Sequence, residues 1–116
     1  MKIKERPEFF NKSAVFCLKK SDFVTSAIDV MAERNIGSVI IVDTDNKVNG
    51  IVTERDLLRR VLAKNIDPKT TPLSAIMTSD IRAARPEDNV IDWLRIMSNE
   101  RFRHLPVIDD GGKLIN

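Results

Sequence analysis

The stretch GIVTERD (residues 50–56) holds the pair of side chains with the clearest chemical potential, Thr53 and Asp56, three positions apart. This spacing suits a capping box, in which the threonine hydroxyl and the acid each accept a backbone N–H at a helix start. It also sets a hydroxyl and a carboxylate side by side at the end of a strand, where a small polar ligand could bind. The residues alone leave both interpretations open.

Length and composition bound the classes of protein to consider. The 116 residues, 42% hydrophobic and 31% charged, suit one compact globular domain. A formal net charge of +2 without blocks of like charge gives nucleic acid no evident binding surface. The single cysteine, Cys17, excludes an internal disulfide and fits a reducing compartment. Because the sequence contains neither a signal peptide nor a long apolar run, we expect a cytoplasmic protein that does not bind membranes.

Enzyme chemistry has little support in the sequence. We find no Gly-x-Gly-x-x-Gly, no Walker loop and no nucleophile–base pair, and one histidine with one cysteine cannot form a metal-ligand cluster. We therefore expect no catalytic residues, no metal site and no required cofactor.

An internal repeat organises the chain. Residues 21–43 can be laid without gaps over residues 87–109, so that Asp22 matches Asp88 and Met31 matches Met97, and both copies share one apolar pattern. Each copy predicts a helix with an N-cap at Ser21 or Asp22, and at Asp88. The apolar stripes of these helices are Val24, Ala27, Ile28 and Met31 in copy one, and Val90, Trp93, Leu94 and Met97 in copy two.

The segments around each helix predict strands and turns. Short strands should precede each helix near residues 15–18 and 81–84, and SVIIVD, TDNK and VNGIVT (38–53) should form a hairpin. A helix over 54–64 should then bury a stripe made of Leu57, Leu58, Val61 and Leu62. The fold class is therefore α/β (α+β), built from two β-α-β-β-α repeats.

The second repeat is expected to be incomplete, since it stops before its last strand and helix. We place an N-terminal extension at 1–12, repeat one at 13–64, a connector with a short helix at 65–78 and repeat two at 79–116. An unpaired sheet edge and uncovered apolar residues would favour association with a second copy or with another chain.

Two longer stretches carry a family resemblance. NIGSVIIVDTDNKVNGIVTERDLLRRV and SNERFRHLPVIDDGGKLIN resemble the two halves of a tandem cystathionine-β-synthase (CBS) domain pair, the Bateman module. The resemblance covers nearly everything from about residue 13 onward. It implies two repeats related by a pseudo-twofold axis and a regulatory module that commonly dimerises. Such modules bind AMP, ADP or ATP, and in some members NAD or S-adenosylmethionine.

The resemblance also assigns roles to individual residues. Asp56 would accept hydrogen bonds from the ribose hydroxyls, which suits an ionised carboxylate, and Thr53 would reach the ribose or phosphate. Ile51 and Val52 would offer apolar contact, with Arg55 as a neighbouring cation, and backbone N–H groups at the helix start would favour phosphate. The other repeat would add Arg103 and His104 as phosphate ligands. The positions of repeat one that correspond to Arg103 and His104 are Gly37 and Ser38, which carry no charge. We therefore expect one nucleotide site per chain at most.

Two functions therefore remain open. The first is a nucleotide-sensing regulatory module, with an attached or separate effector protein as its partner. The second is a structural or dimerisation module without a physiological nucleotide.

Overall fold

The computed structural model describes residues 1–5, 16–100 and 105–115. The chain divides into two compact units, one formed by Phe16–Ile81 and the other by Met1–Val15 together with Arg82–Asn116.

The unit Phe16–Ile81 contains a three-stranded sheet with helices. Strands β1 (Cys17–Leu18), β2 (Ser38–Val42) and β3 (Val48–Thr53) lie in the order β1-β2-β3. Strand β1 runs parallel to β2, whereas β2 and β3 form the expected antiparallel hairpin. Helix α1 (Val24–Arg34) connects β1 to β2, and a 3-10 helix (Leu73–Ala75) lies in the connector. This arrangement confirms the predicted fold class.

The core of this unit forms where the apolar stripe of α1 meets the sheet. Val24, Ala27 and Met31 are buried, with Ile28 packed against them, which confirms the predicted stripe. The 3-10 helix of the connector contributes the fully buried Leu73. The connector is therefore part of the core of repeat one, although it lies between the repeats in sequence.

The start of α1 differs from the prediction. Phe23 is the N-cap residue, and its side chain has no group that could accept a cap bond. The Asp22 carboxylate accepts the backbone N–H of Lys19 at 2.8 Å and does not cap the helix. The connector satisfies the first helical N–H groups, with Val24 donating to the carbonyl of Thr71 at 2.9 Å and Thr25 donating to that of Pro68 at 3.1 Å. The predicted N-cap at Ser21 or Asp22 is wrong because backbone carbonyls distant in sequence replace a local side chain.

Helix α2 begins as an α-helix (Glu54–Asp56) and continues as a π-helix (Leu57–Leu62). Val61 is buried and Leu57 packs against the core, but Leu58 and Leu62 are 60% and 69% exposed. The predicted four-residue stripe is thus half wrong. In the part of the chain that the structure describes, the repeat covers only one side of α2, and positions 58 and 62 lie on the other side.

The second unit repeats the strand pairing of the first. Its helix α3 is Val90–Glu100. An Ala84–Val107 bridge is parallel like the pairing of Leu18 with Ile41, and Ile108 bridges Leu114 as Val42 pairs with Val48. All these pairs correspond at the 66-position shift read from the sequence.

The hairpin turn is reproduced bond for bond in both units. Oδ1 of Asp43 accepts the N–H groups of Asp45 at 2.8 Å and Lys47 at 3.0 Å, and Oδ1 of Asp109 accepts those of Gly111 and Lys113, both at 2.9 Å. The left-handed residue of the turn is Asn46 in one unit and Gly112 in the other. The repeat read from the sequence is therefore a repeat of structure as well.

The N-terminal segment Met1–Glu5 occupies in its unit the place that the connector occupies in the other. Met1 accepts the N–H of Val90 as Thr71 accepts that of Val24, and Ile3 donates to Asp88 as Leu73 donates to Asp22. Both segments form 3-10 helices, Ile3–Glu5 and Leu73–Ala75. The segment that precedes each repeat in sequence thus packs on the other repeat. The sequence pattern did not indicate this.

Helix α3 is less covered than predicted. Val90, Trp93 and Met97 are half-buried, but Leu94 is 57% exposed, so its assignment to the core is wrong. In the described parts of this unit the strands are reduced to bridges, and a smaller sheet covers less of a helix. Nor does Asp88 cap α3: it accepts N–H groups from Arg85 and Trp93, while the side chain of Asn89 accepts the N–H of Ile91.

Candidate functional site

Thr53 and Asp56 form the capping box that the sequence predicts. The hydroxyl of Thr53 accepts the N–H of Asp56 at 3.2 Å, and Oδ2 of Asp56 accepts the N–H of Thr53 at 2.9 Å. Strand β3 ends at Thr53 and α2 begins at the next residue, so strand, cap and helix are joined without a loop. The cap therefore fixes the direction of the Asp56 carboxylate relative to the strand.

The Asp56 carboxylate is the buried charge of the site. Asp56 is 9% exposed, and its Oδ1 accepts a hydrogen bond from the hydroxyl of Thr78 at 3.2 Å. Nε of Arg60 lies 3.9 Å from the same oxygen, one helical turn further along α2. Buried carboxylates are costly unless hydrogen-bonded and charge-paired, and this one is both. Thr78 and Arg60 are neighbours of this carboxylate that the sequence analysis missed. Thr78 lies 22 positions away from Asp56, where no local pattern connects the two residues, whereas Arg60 lies at the i,i+4 spacing of a helical ion pair.

The connector reaches Asp56 because it lies directly against β3. Ile51 and Thr78 exchange two backbone hydrogen bonds, of 3.0 and 2.9 Å. A Cβ atom at Gly50 would lie 2.7 Å from the carbonyl oxygen of Thr78 and 3.1 Å from the sulfur of Met77. The glycine before the Thr-x-x-Asp element is thus required by the close approach of two backbones.

The remaining residues assigned from the sequence have different surroundings. Val52 is fully buried and offers no surface to a ligand, whereas Ile51 is 8% exposed and Arg55 is exposed on α2. Arg103 and His104 lie outside the described residues. Within the described residues, the structure therefore brings together Thr53, Asp56 and Ile51 with Thr78 and Arg60.

The start of α2 offers fewer free N–H groups for phosphate than the sequence suggests. The N–H of Glu54 donates to the carbonyl of Gly37 at 3.1 Å, and the N–H of Asp56 donates to Thr53. The candidate site is therefore defined by the Asp56 carboxylate more than by the helix terminus.

In residues 1–5, 16–100 and 105–115, no group of three or more His, Cys, Asp or Glu side chains is placed to hold a metal ion. Across these same ranges, no helix combines the length and the apolarity that crossing a membrane requires.

Comparison with known proteins identifies the family. The CBS domain model matches residues 8–63 and 73–116, and the chain therefore belongs to the CBS domain family. The solved structure of a signal-transduction protein with CBS domains from Burkholderia ambifaria is 39% identical, with a TM-score of 0.82, over 98% of this chain and 81% of that one. A CBS domain protein of Pyrobaculum aerophilum, complexed with AMP, has a TM-score of 0.83 over 98% of this chain and 83% of that one. At 22% identity, this likeness shows a shared fold.

Among curated proteins, an uncharacterized 17.7 kDa protein of Acidianus ambivalens is 38% identical over 100 residues. That alignment covers 86% of this chain and 59% of the relative. The CBS domain-containing protein CBSCBSPB3 of Arabidopsis thaliana is also 38% identical, over 88% of this chain but 18% of its own length. The chain thus spans only part of these relatives.

Proposed function

We propose that this chain is a regulatory module that senses adenosine-containing nucleotides and is not itself an enzyme. The observation that carries the proposal is the Asp56 carboxylate, buried at the junction of β3 and α2 and held by the capping box. Family membership supports the regulatory class, since CBS domains are generally regulatory or signalling modules. The ligand class is supported by CBS structures of the same fold, one complexed with AMP and another with 5′-methylthioadenosine and S-adenosylmethionine.

The acceptor capacity of Asp56 matches a vicinal diol. A carboxylate offers about four lone-pair sites. The N–H of Thr53 uses one and the hydroxyl of Thr78 uses another. Two sites therefore remain for the two hydroxyls of a ribose, which can only donate to an ionised carboxylate.

The other proposed contacts come from the neighbours of Asp56 in sequence and from the second repeat. Thr53 and Ile51 lie on β3, and Arg55 is the exposed cation that precedes Asp56 in sequence on α2. Arg103 and His104 are proposed as ligands of the 5′-phosphate, since a guanidinium and an imidazole together suit that group. The Val52 side chain is left out because it is fully buried.

A thermal-shift titration with AMP, ADP, ATP, NAD and S-adenosylmethionine tests the proposal. A ligand at 100 times its dissociation constant should add about 2.7 kcal/mol to the free energy of unfolding. Asp56→Ala should lose this increment. Loss of the cap would lower its baseline stability by about 0.5–2 kcal/mol. Glu54→Ala, an exposed acid two positions earlier on α2, is the matched control and should keep the increment.

Two results would refute the proposal in different ways. If none of the five compounds raises the melting temperature, the chain is not a sensor of these nucleotides. If one does and Asp56→Ala still responds, the site lies elsewhere.

A second candidate function is a dimerisation module without a physiological nucleotide. It is favoured by Leu58 and Leu62, two large apolar side chains that lie four positions apart on α2 and are mostly exposed. Paired apolar side chains at this spacing form a stripe that a second helix can cover. We propose that a second copy of the chain covers it, as a homodimer.

Sedimentation velocity of the wild type and of the double variant Leu58→Lys with Leu62→Lys tests the dimer. The wild type should sediment as a dimer at micromolar concentration, and the double variant as a monomer. Thr70→Lys, at an exposed position of the connector, should leave the wild-type state unchanged. A double variant that sediments like the wild type would refute this interface.

A further inference from the structure

We propose that Thr78 is a positioning residue for ribose recognition at Asp56, and that Arg60 holds Thr78 in place by anchoring the connector. This inference rests on the proposed function, because it concerns how the same carboxylate recognises a diol. Neither residue is proposed to touch the ligand.

The two oxygens of the Asp56 carboxylate are held from different sides. Oδ2 is held from the helix side, by the N–H of Thr53 at 2.9 Å. Oδ1 is held from the connector side, by the hydroxyl of Thr78 at 3.2 Å. With one bond to each oxygen, the plane of the carboxylate is fixed, since rotation about its terminal torsion would break both. Without Thr78, the N–H of Thr53 would be the only hydrogen-bond donor left to the carboxylate among the described residues, since Nε of Arg60 at 3.9 Å is beyond hydrogen-bond distance. The terminal torsion of the carboxylate has broad minima, so one bond would not fix its plane.

Thr78 is in turn held in place through the two residues that precede it. One terminal nitrogen of Arg60 donates to the carbonyls of Ile76 at 3.0 Å and Met77 at 3.2 Å. These are the two residues that precede Thr78. The Nε of the same guanidinium lies 3.9 Å from Oδ1 of Asp56. Arg60 thus ties the end of the connector to α2, the helix that carries Asp56.

The orientation of the Asp56 carboxylate affects how well it distinguishes a ribose from a deoxyribose. A vicinal diol donates two hydrogen bonds whose directions are fixed by the ribose ring, so it requires a carboxylate in one orientation. A deoxyribose has one hydroxyl fewer, so its binding depends less on the orientation of the carboxylate. Loss of Thr78 should therefore weaken a ribonucleotide more than its 2′-deoxy analogue, whereas general loosening of the fold would weaken both alike.

The experiment measures dissociation constants by calorimetry for AMP and 2′-deoxy-AMP. Thr78→Val, which keeps the shape and removes the hydroxyl, should raise the AMP constant about tenfold, as for loss of a bond to a charged group. The constant for 2′-deoxy-AMP should rise less than about threefold. Thr78→Ser should restore the preference for AMP. Arg60→Gln should lower the preference in the same direction, whereas the control variants Thr70→Val and Arg59→Gln, both at exposed positions, should retain it.

A second measurement reads the positioning without any ligand. Hydrogen exchange at the Thr53 amide, which donates to Asp56, should accelerate about fivefold in Thr78→Val and return toward the wild-type rate in Thr78→Ser. The amide of Asp43 is the internal control, since it donates to Lys47 in the same hairpin and does not involve Asp56.

The outcomes separate the two proposals. Faster exchange at Thr53 together with a lost preference for AMP supports the positioning role. Faster exchange at Thr53 in a protein that binds no adenine nucleotide supports the positioning of Asp56 and refutes the proposed function. Unchanged exchange at Thr53, equal acceleration at Asp43, or an unchanged preference for AMP overturns the inference.

Discussion

Gly50→Ala should destabilise the protein by driving the connector away from β3. The new Cβ would lie 2.7 Å from the carbonyl oxygen of Thr78, whereas ordinary contact begins near 3.4 Å. If the backbones stay in place, the overpacking costs about 1–3 kcal/mol. If they separate, the two hydrogen bonds between Ile51 and Thr78 are lost, each worth about 1 kcal/mol. Either route opposes the gain of about 0.4–1 kcal/mol that alanine brings by restricting the unfolded chain.

The net expectation is a loss of about 1–2 kcal/mol, measured by urea unfolding followed by far-UV circular dichroism. Gly111→Ala is the matched control, because a Cβ there would meet only Oδ1 of Asp109, at 3.4 Å. It should be neutral or slightly stabilising. A Gly50→Ala protein as stable as the wild type would refute the argument that this glycine exists for the close approach of the connector.

Two further predictions concern the unit that contains α3. Hydrogen bonds from two lysines of the N-terminal segment lower the pKa of Glu87 from its ordinary value of 4.5 to about 2. Their stabilising effect is therefore complete above about pH 4.5 and is lost as the pH falls through about 2, so Glu87→Gln should flatten the acid dependence of stability over this range, and 1 M salt should weaken the difference. Asp88→Ala should cost about 1 kcal/mol more than Asp22→Ala at the equivalent position, because the Asp88 carboxylate also accepts the indole N–H of Trp93 at 2.8 Å. Equal losses in urea unfolding of these two variants would contradict the role of the indole bond.

Patterns within a few residues predicted the local structure well. Short apolar runs with turn residues between them located β2 and β3, and the Thr53–Asp56 spacing predicted a capping box that the structure contains. Such features depend on neighbours three or four positions away, which the sequence displays directly. The repeat could be detected for the same reason: the two copies have the same local apolar pattern, because they form the same helices and strands.

Predictions that depended on distant partners did less well. Asp22 is a residue type that commonly caps helices, but the carbonyls of Pro68 and Thr71 accept the first N–H groups of α1. Leu58 and Leu62 have the spacing of a core stripe, but the repeat covers the other side of α2. In both cases the local preference is weak, and the long-range packing decides.

The sequence by itself determined the repeat, the hairpins, the CBS family and the acid at the centre of the candidate site. Only the tertiary structure decided that each repeat is completed by the segment preceding the other one, that Thr78 donates to Asp56, and that Arg60 binds the end of the connector. The physical reason is that these contacts join backbone carbonyls and side chains 16 to 22 positions apart or more, for which the chain has no periodic signal. The sequence displays the glycine of GIVTERD, but only the tertiary structure shows the connector packed against it, where a larger residue would clash.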